Sequence, residues 1–277
     1  MSNEHLRWLL KVIQPARTLA SLPGGAALSP ETHASLLGLS PDVYAAELAG
    51  MKAEASAAAR ELGRDPAVAA MVDRLPLRKG AKVVAFGDSL TSEPQSWAVI
   101  LSELISARRA ELGVEVLVSA VGGETTTHGL IRAGEVIGQQ PDWVLCLIGT
   151  NDARTQGPHA TKTLVHHEET ARNLAELRNR LSRETRARLV WMTPPAVNEA
   201  QVAAHPGLAR FGVRFRNEDL ARVAKTLREL DPAAIDLFSA LGAPPGAELL
   251  MGDGLHFTVA GQKRLALEVL TRWSALT

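Results

Sequence analysis

From about residue 80 to the end, the chain alternates short apolar runs with longer helical patterns. This rhythm restricts the possible folds more than any other feature. The apolar runs 82–86, 114–119, 143–148, 188–193 and 234–238 are rich in Val, Leu and Ile, and turn residues follow each of them. Continuous apolar runs, rather than alternation with polar residues, suit strands buried on both faces. Helical patterns fill the intervals at about 94–111, 126–138, 160–182, 212–230 and 258–275. Strands alternating with helices predict an α/β fold, a parallel sheet with helices on both sides. In such a sheet, sites form in the loops beyond the carboxyl ends of the strands.

The first 78 residues read differently. They are rich in Ala and Leu and nearly free of strand-like runs. Ser29-Pro30, Ser40-Pro41 and Asp65-Pro66 each pair a side-chain acceptor for a free helical N–H with a proline at the first helical position. The longest helix is expected over 41–62, with Val43, Leu48, Met51 and Ala55 available for packing. An earlier helix is expected over about 3–19, with Leu6, Leu9, Leu10 and Ile13 on one side. The chain therefore divides into an N-terminal helical extension, 1–78, and an α/β domain, 79–277. The extension is expected to act as a cap, a lid or a means of homo-oligomerisation.

Composition narrows the function. Thirty basic side chains balance thirty acidic ones, which argues against nucleic acid as the main partner. The densest basic run, Arg210 to Arg228, is broken by Glu218 and Asp219 and reads as a solvated helix face. Cys146 is the one cysteine, so no intrachain disulfide forms; a reducing compartment suits it. Charges interrupt the N-terminus too often for a signal peptide, and no apolar run reaches the roughly 18 residues of a membrane span. A cytoplasmic protein is expected.

Three of the apolar runs end in chemically unusual residues. Gly87-Asp88-Ser89-Leu90-Thr91 follows the first, Val121-Gly122-Gly123-Glu124-Thr125 the second, and Gly149-Thr150-Asn151-Asp152 the third. A serine between a strand and a helix exposes its hydroxyl beside free backbone N–H groups. Acyl transfer needs a nucleophile, a base and donors for a developing oxyanion. Ser89 supplies the hydroxyl, Gly123 a backbone N–H that a ligand can approach, and Asn151 an amide. Near the other end of the chain, Asp253-Gly254-Leu255-His256 offers a base with a carboxylate three residues before it, close enough to orient the imidazole. Each block alone is a common turn or helix start. Their joint order, each after a strand or before the last helix, carries the argument. No metal-binding spacing, phosphate cradle or Gly-x-Ser-x-Gly elbow occurs.

These blocks, taken over residues 80–277, resemble the SGNH (GDSL) hydrolase family of serine esterases. The stretch Gly122 to Leu130 resembles the second block of the lysophospholipase/thioesterase-like members, although Val118 stands where many members have asparagine. The resemblance implies a flavodoxin-like three-layer α/β/α sandwich. It implies Ser89 as nucleophile, with Asp253 and His256 completing a catalytic triad. It also implies an oxyanion hole made by the Ser89 N–H, the Gly123 N–H and the Asn151 amide. Hydrolysis of small-molecule carboxylic esters, of small or medium acyl chains and without metal or organic cofactor, is then expected. An acyltransferase using the same site, and a non-catalytic binding or scaffold protein on the same fold, remain alternatives. Asp88 and Asp152 read as loop-bonding residues, and Glu124 as a loop surface residue.

Overall fold

The computed structural model describes residues 3–20 and 22–276. Among them, a parallel sheet forms from β1 (Lys82–Gly87), β2 (Glu115–Ala120), β3 (Trp143–Leu147) and β5 (Arg188–Met192), in the spatial order β2-β1-β3-β5. A two-residue antiparallel pair, β4 (Thr155–Gln156) with β6 (Val213–Arg214), stands apart from it. The helices are α1 (Asn3–Val12), α2 (Pro15–Thr18), α3 (Pro30–Leu36), α4 (Pro41–Gly63), α5 (Pro66–Asp73), α6 (Ser89–Ser92) and α7 (Trp97–Arg108). They continue with α8 (Thr126–Gly138), α9 (His167–Glu184), α10 (Glu199–Ala204), α11 (Pro206–Ala209), α12 (Asn217–Leu230), α13 (Leu237–Ala240) and α14 (Val259–Trp273). No helix of the described residues is long and apolar enough to cross a membrane.

The sheet is the middle layer of an α/β/α sandwich, and side-chain alternation shows it. Val83 and Ala85 of β1 enter one core with residues of α4, α5, α7 and α14. Their neighbours Val84 and Phe86 enter the other, with residues of α8, α9 and α12. Trp143, Leu145 and Leu147 of β3 divide from Val144 and Cys146 in the same way. The central strands β1 and β3 thus bury both of their faces, as their unbroken apolar character requires, while β2 at the sheet edge is only partly buried. The strand order reverses at β1, because β2 lies on one side of it and β3 on the other. That switch point opens a crevice at the carboxyl edge.

The three proline-marked helix starts form as the capping chemistry dictates. Ser29 accepts from the Thr32 N–H, Ser40 from the Val43 N–H and Asp65 from the Ala67 N–H. Several expectations need correction. The 3–19 helix breaks at Gln14, because Pro15 has no N–H to continue the ladder and crowds the residue before it. Gln14 turns left-handed (φ 39°), and its side chain bonds back to the Lys11 carbonyl at 2.6 Å. Ile13 and Val43 are exposed; Trp8 and Tyr44 are buried instead. The segment 234–238 forms no strand. It makes a single bridge, Met192 to Ile235, before Asp236 caps α13 and turns the chain away. The helices expected over 160–182 and 212–230 begin later, at His167 and Asn217; residues 155–156 and 213–214 pair with each other instead.

Candidate active site

Ser89 takes its position from close backbone approach. A Cβ on Gly87 would lie 2.3 Å from the Leu147 carbonyl oxygen and 2.6 Å from Thr91 Oγ1, so only glycine lets β1 end this tightly against β3. Asp88 caps the short helix that follows, its Oδ1 accepting from the Leu90 N–H at 3.1 Å. Ser89 opens α6, and the first N–H groups of a helix have no acceptor within it.

His256 comes from the turn before α14. Asp253 Oδ1 accepts from the Leu255 and His256 N–H groups at 3.0 and 2.9 Å, which folds residues 253–256 back on themselves. Gly254 sits at φ +70°, and a Cβ there would meet the Asn198 carbonyl oxygen at 2.7 Å. The turn delivers His256 Nδ1 to Asp253 Oδ2 at 2.6 Å and His256 Nε2 to Ser89 Oγ at 3.1 Å. Residues 167 positions apart thus form one hydrogen-bonded line.

The second and third loops meet beside it. Gly123 is left-handed (φ +81°), with open space where a side chain would stand. The Asn151 amide donates to the Glu124 carbonyl at 3.0 Å and, more weakly, to Asp88 Oδ2 at 3.4 Å. Thus the structure brings Ser89, Gly123, Asn151, Asp253 and His256 to one edge. Asp88 and Asp152 bond the loops as expected. Asp152 accepts from the Thr126 N–H at 2.9 Å and the Thr170 hydroxyl at 3.0 Å, tying β3 to α8 and α9.

Glu124 is not a loose surface side chain. It pairs with Arg132 at 2.6 Å, and Arg132 also donates to Ser119 Oγ and the Gly87 carbonyl while lying over the Phe86 ring. One guanidinium thereby braces the second loop against the end of β1. A planar five-donor group suits that task, and lysine does not. Arg132 lies on α8, one turn after the motif, and nothing in the motif announces it.

The residues least visible in the sequence come from α1. Trp8 Nε1 donates to Asp253 Oδ2 at 2.7 Å. Lys11 Nζ donates to the Phe257 carbonyl at 2.7 Å and lies 3.1 Å from Glu93 Oε2, both side chains being buried. Gln262 Nε2 donates to the same Glu93 oxygen at 2.9 Å. Removing one partner from such a buried ion pair costs about 3–5 kcal/mol, so α1 is held by more than its apolar face. The Val12 carbonyl oxygen would lie 2.9 Å from a Cβ on Gly122, beside the second loop. Under this cover Ser89 is 7% exposed, Asn151 5% and His256 2%.

Burial shapes the charges. Desolvation pushes the Asp88 carboxyl up to about 7, against the Leu90 N–H, which holds it down. Burial also opposes ionisation of Asp253, but His256 and the two backbone N–H donors outweigh it and hold the carboxyl well below the usual carboxylate range. For His256, burial disfavours the imidazolium, and the Asp253 carboxylate more than offsets this, so its pKa lies above the ordinary histidine value.

A three-layer α/β/α sandwich with a Ser–His–Asp line at its topological switch point defines the chain as a hydrolase-type α/β protein. The chain belongs to the GDSL-like lipase/acylhydrolase family, whose model matches residues 85–264. It is similar to a GDSL esterase/lipase of Arabidopsis thaliana, 23% identical over 203 residues. That match spans 68% of this chain and 62% of the plant protein. Among solved structures it is similar to the lipase/acylhydrolase from Enterococcus faecalis, with 26% identity and a TM-score of 0.55, over 70% of this chain and 96% of that one. The fold is also that of an acetylxylan esterase from Geobacillus stearothermophilus, with 22% identity and a TM-score of 0.53, over 71% of this chain and 95% of the other.

Proposed function

We propose that this chain is a serine esterase that hydrolyses carboxylic esters of small to medium acyl chains through an acyl-enzyme intermediate. The observation that carries the reading is the continuous line from Ser89 Oγ through His256 to Asp253, with contacts of 3.1 and 2.6 Å. Ser89 Oγ attacks the ester carbonyl carbon while His256 Nε2 takes its proton. The imidazolium so formed is held by the Asp253 carboxylate. The tetrahedral intermediate collapses, His256 protonates the leaving alcohol oxygen, and the acyl group stays on Ser89. Water then attacks the acyl carbon as His256 Nε2 takes one of its protons. The acid leaves and the proton returns to Ser89.

The oxyanion is stabilised by the Ser89 N–H, the Gly123 N–H and the Asn151 amide. The Asn151 proton that makes the weaker contact with Asp88 is the one free to turn towards the oxyanion. An Asn151→Ala variant is expected to lose about 10²–10³ in kcat. Steady-state hydrolysis of p-nitrophenyl acetate measures this, and an unchanged kcat would remove Asn151 from the role.

The near-complete burial of Ser89 beneath α1 favours short acyl chains, since a long chain would have to displace packed side chains. In a series of p-nitrophenyl esters from acetate to palmitate, with a thioester included, kcat/KM is expected to be highest from acetate to butyrate. A maximum at palmitate would contradict the short-chain reading and make α1 a lid that moves aside.

A further inference from the structure

We infer that Trp8, in the N-terminal helix α1, is a positioning residue of the catalytic array, its indole N–H fixing the carboxylate oxygen that orients His256. This rests on the esterase reading above and extends it outside the residues 85–264 that the family model matches.

A carboxylate offers about four acceptor positions, and at Asp253 all are used. Oδ1 takes the Leu255 and His256 backbone N–H groups; Oδ2 takes His256 Nδ1 at 2.6 Å and Trp8 Nε1 at 2.7 Å. Asp253 is fully buried, and all four of its donors come from the protein itself. Three of those donors come from the local turn. The fourth comes from a residue 245 positions away.

The indole is itself held in place. Its ring centroid lies 4.9 Å from that of His205, and Gly207 leaves the room the ring occupies: a Cβ there would meet Trp8 Cη2 at 2.4 Å. One turn further along α1, Lys11 grips the Phe257 carbonyl, so the helix is fixed to the histidine turn at two points. This arrangement has a chemical consequence. When His256 becomes an imidazolium, a second donor on Oδ2 keeps negative charge on Asp253. The proton then stays on Nδ1, and the ring keeps Nε2 aimed at Ser89.

The test compares wild type with Trp8→Phe, which keeps most of the packing and deletes the N–H. Three readouts are needed: kcat and KM separately across pH, the rate of Ser89 modification by a fluorophosphonate, and the low-field proton resonance of His256 Nδ1–H. The groups facing His256 are Asp253 on its own turn, Lys11 from α1, Glu93 from the loop after α6, and Asp88 from the end of β1. Only Asp253 loses a partner in the variant. The expected result is a kcat about tenfold lower or more, with KM within about twofold. The acid limb should move to higher pH, because the undiluted carboxylate binds the imidazolium more strongly. The Nδ1 resonance should move further downfield for the same reason.

A wild-type kcat, acid limb and resonance in a folded Trp8→Phe protein would overturn the proposal. A second variant, Trp8→Gly prepared with indole, or in parallel with indene, present to fill the space, supplies an independent test. Restored activity with indole but not indene would show that the N–H matters, and equal restoration by both would show packing alone. The resonance is read without substrate, so a wild-type protein inert to esters would count against the esterase reading and leave the Trp8 contact separately measured.

Discussion

Replacing Ser89 with alanine is expected to lower kcat for p-nitrophenyl acetate by about 10⁴–10⁶-fold while leaving the protein folded. The magnitude follows from what the hydroxyl does. Without Oγ no covalent intermediate forms, and only binding and the oxyanion donors remain to assist water, which leaves a residual acceleration of about 10³–10⁴. The small stability effect follows from the local structure. Asp88, not Ser89, caps α6, and the Ser89 side chain makes its hydrogen bond to His256 alone. A loss near 1 kcal/mol, typical of one hydrogen bond, shifts Tm by only about 2–4 °C in a protein of this size. A Ser89→Ala protein that hydrolyses esters at the wild-type rate, with its melting curve unchanged, would place the chemistry elsewhere.

An Asp253→Asn variant is expected to lose about 10⁴ in kcat and some stability as well. Every group around the carboxylate is a donor: two backbone N–H groups on Oδ1, and Trp8 Nε1 with His256 Nδ1 on Oδ2. An amide must put its NH₂ at one of these positions, so either orientation sets donor against donor, at a cost of about 1–3 kcal/mol in a buried site. If the NH₂ faces His256, the ring is driven to the tautomer protonated on Nε2, which cannot accept the Ser89 proton; that tautomer error accounts for a loss of about 10⁴.

The pH dependence gives a second, independent reading. In the wild type, Asp253 holds the His256 pKa above the ordinary value, and only the neutral ring acts as base. Activity is therefore expected to fall as pH drops through that raised value. The amide removes the attraction and leaves burial, which disfavours the imidazolium. The acid limb of kcat/KM should then move to lower pH even as the plateau falls. An acid limb that stays in place would mean that Asp253 does not face the titrating group.

The hydrogen-bonded line of Ser89, His256 and Asp253 is largely legible in the sequence, and little of what surrounds it is. Ser89, Gly123 and Asn151 are legible because each follows an apolar strand, and a parallel sheet sends all such loops to one edge. Asp253 and His256 are legible because three residues of turn bring their side chains together. Trp8 and Lys11 are not. Periodicity assigns an amphipathic helix a buried face, but it does not say against what, and a lysine counts as a surface residue. Lys11 is buried because Glu93 and the Phe257 carbonyl await it, contacts that no local pattern encodes. The same limit explains Ile13, whose helical face is apolar but whose helix ends before it, at Val12. It also explains residues 234–238: their composition suits a strand, yet Asp236 serves better as the cap of α13.

In the proposed reaction everything depends on Ser89 Oγ being activated by His256 and attacking an acyl carbon. The most direct test treats the full chain with a fluorophosphonate and locates the adduct by tandem mass spectrometry. One stoichiometric phosphonyl group is expected on Ser89, formed faster as pH rises through the His256 titration. A folded protein that stays unlabelled, or that carries the adduct on another residue, would contradict that role for Ser89.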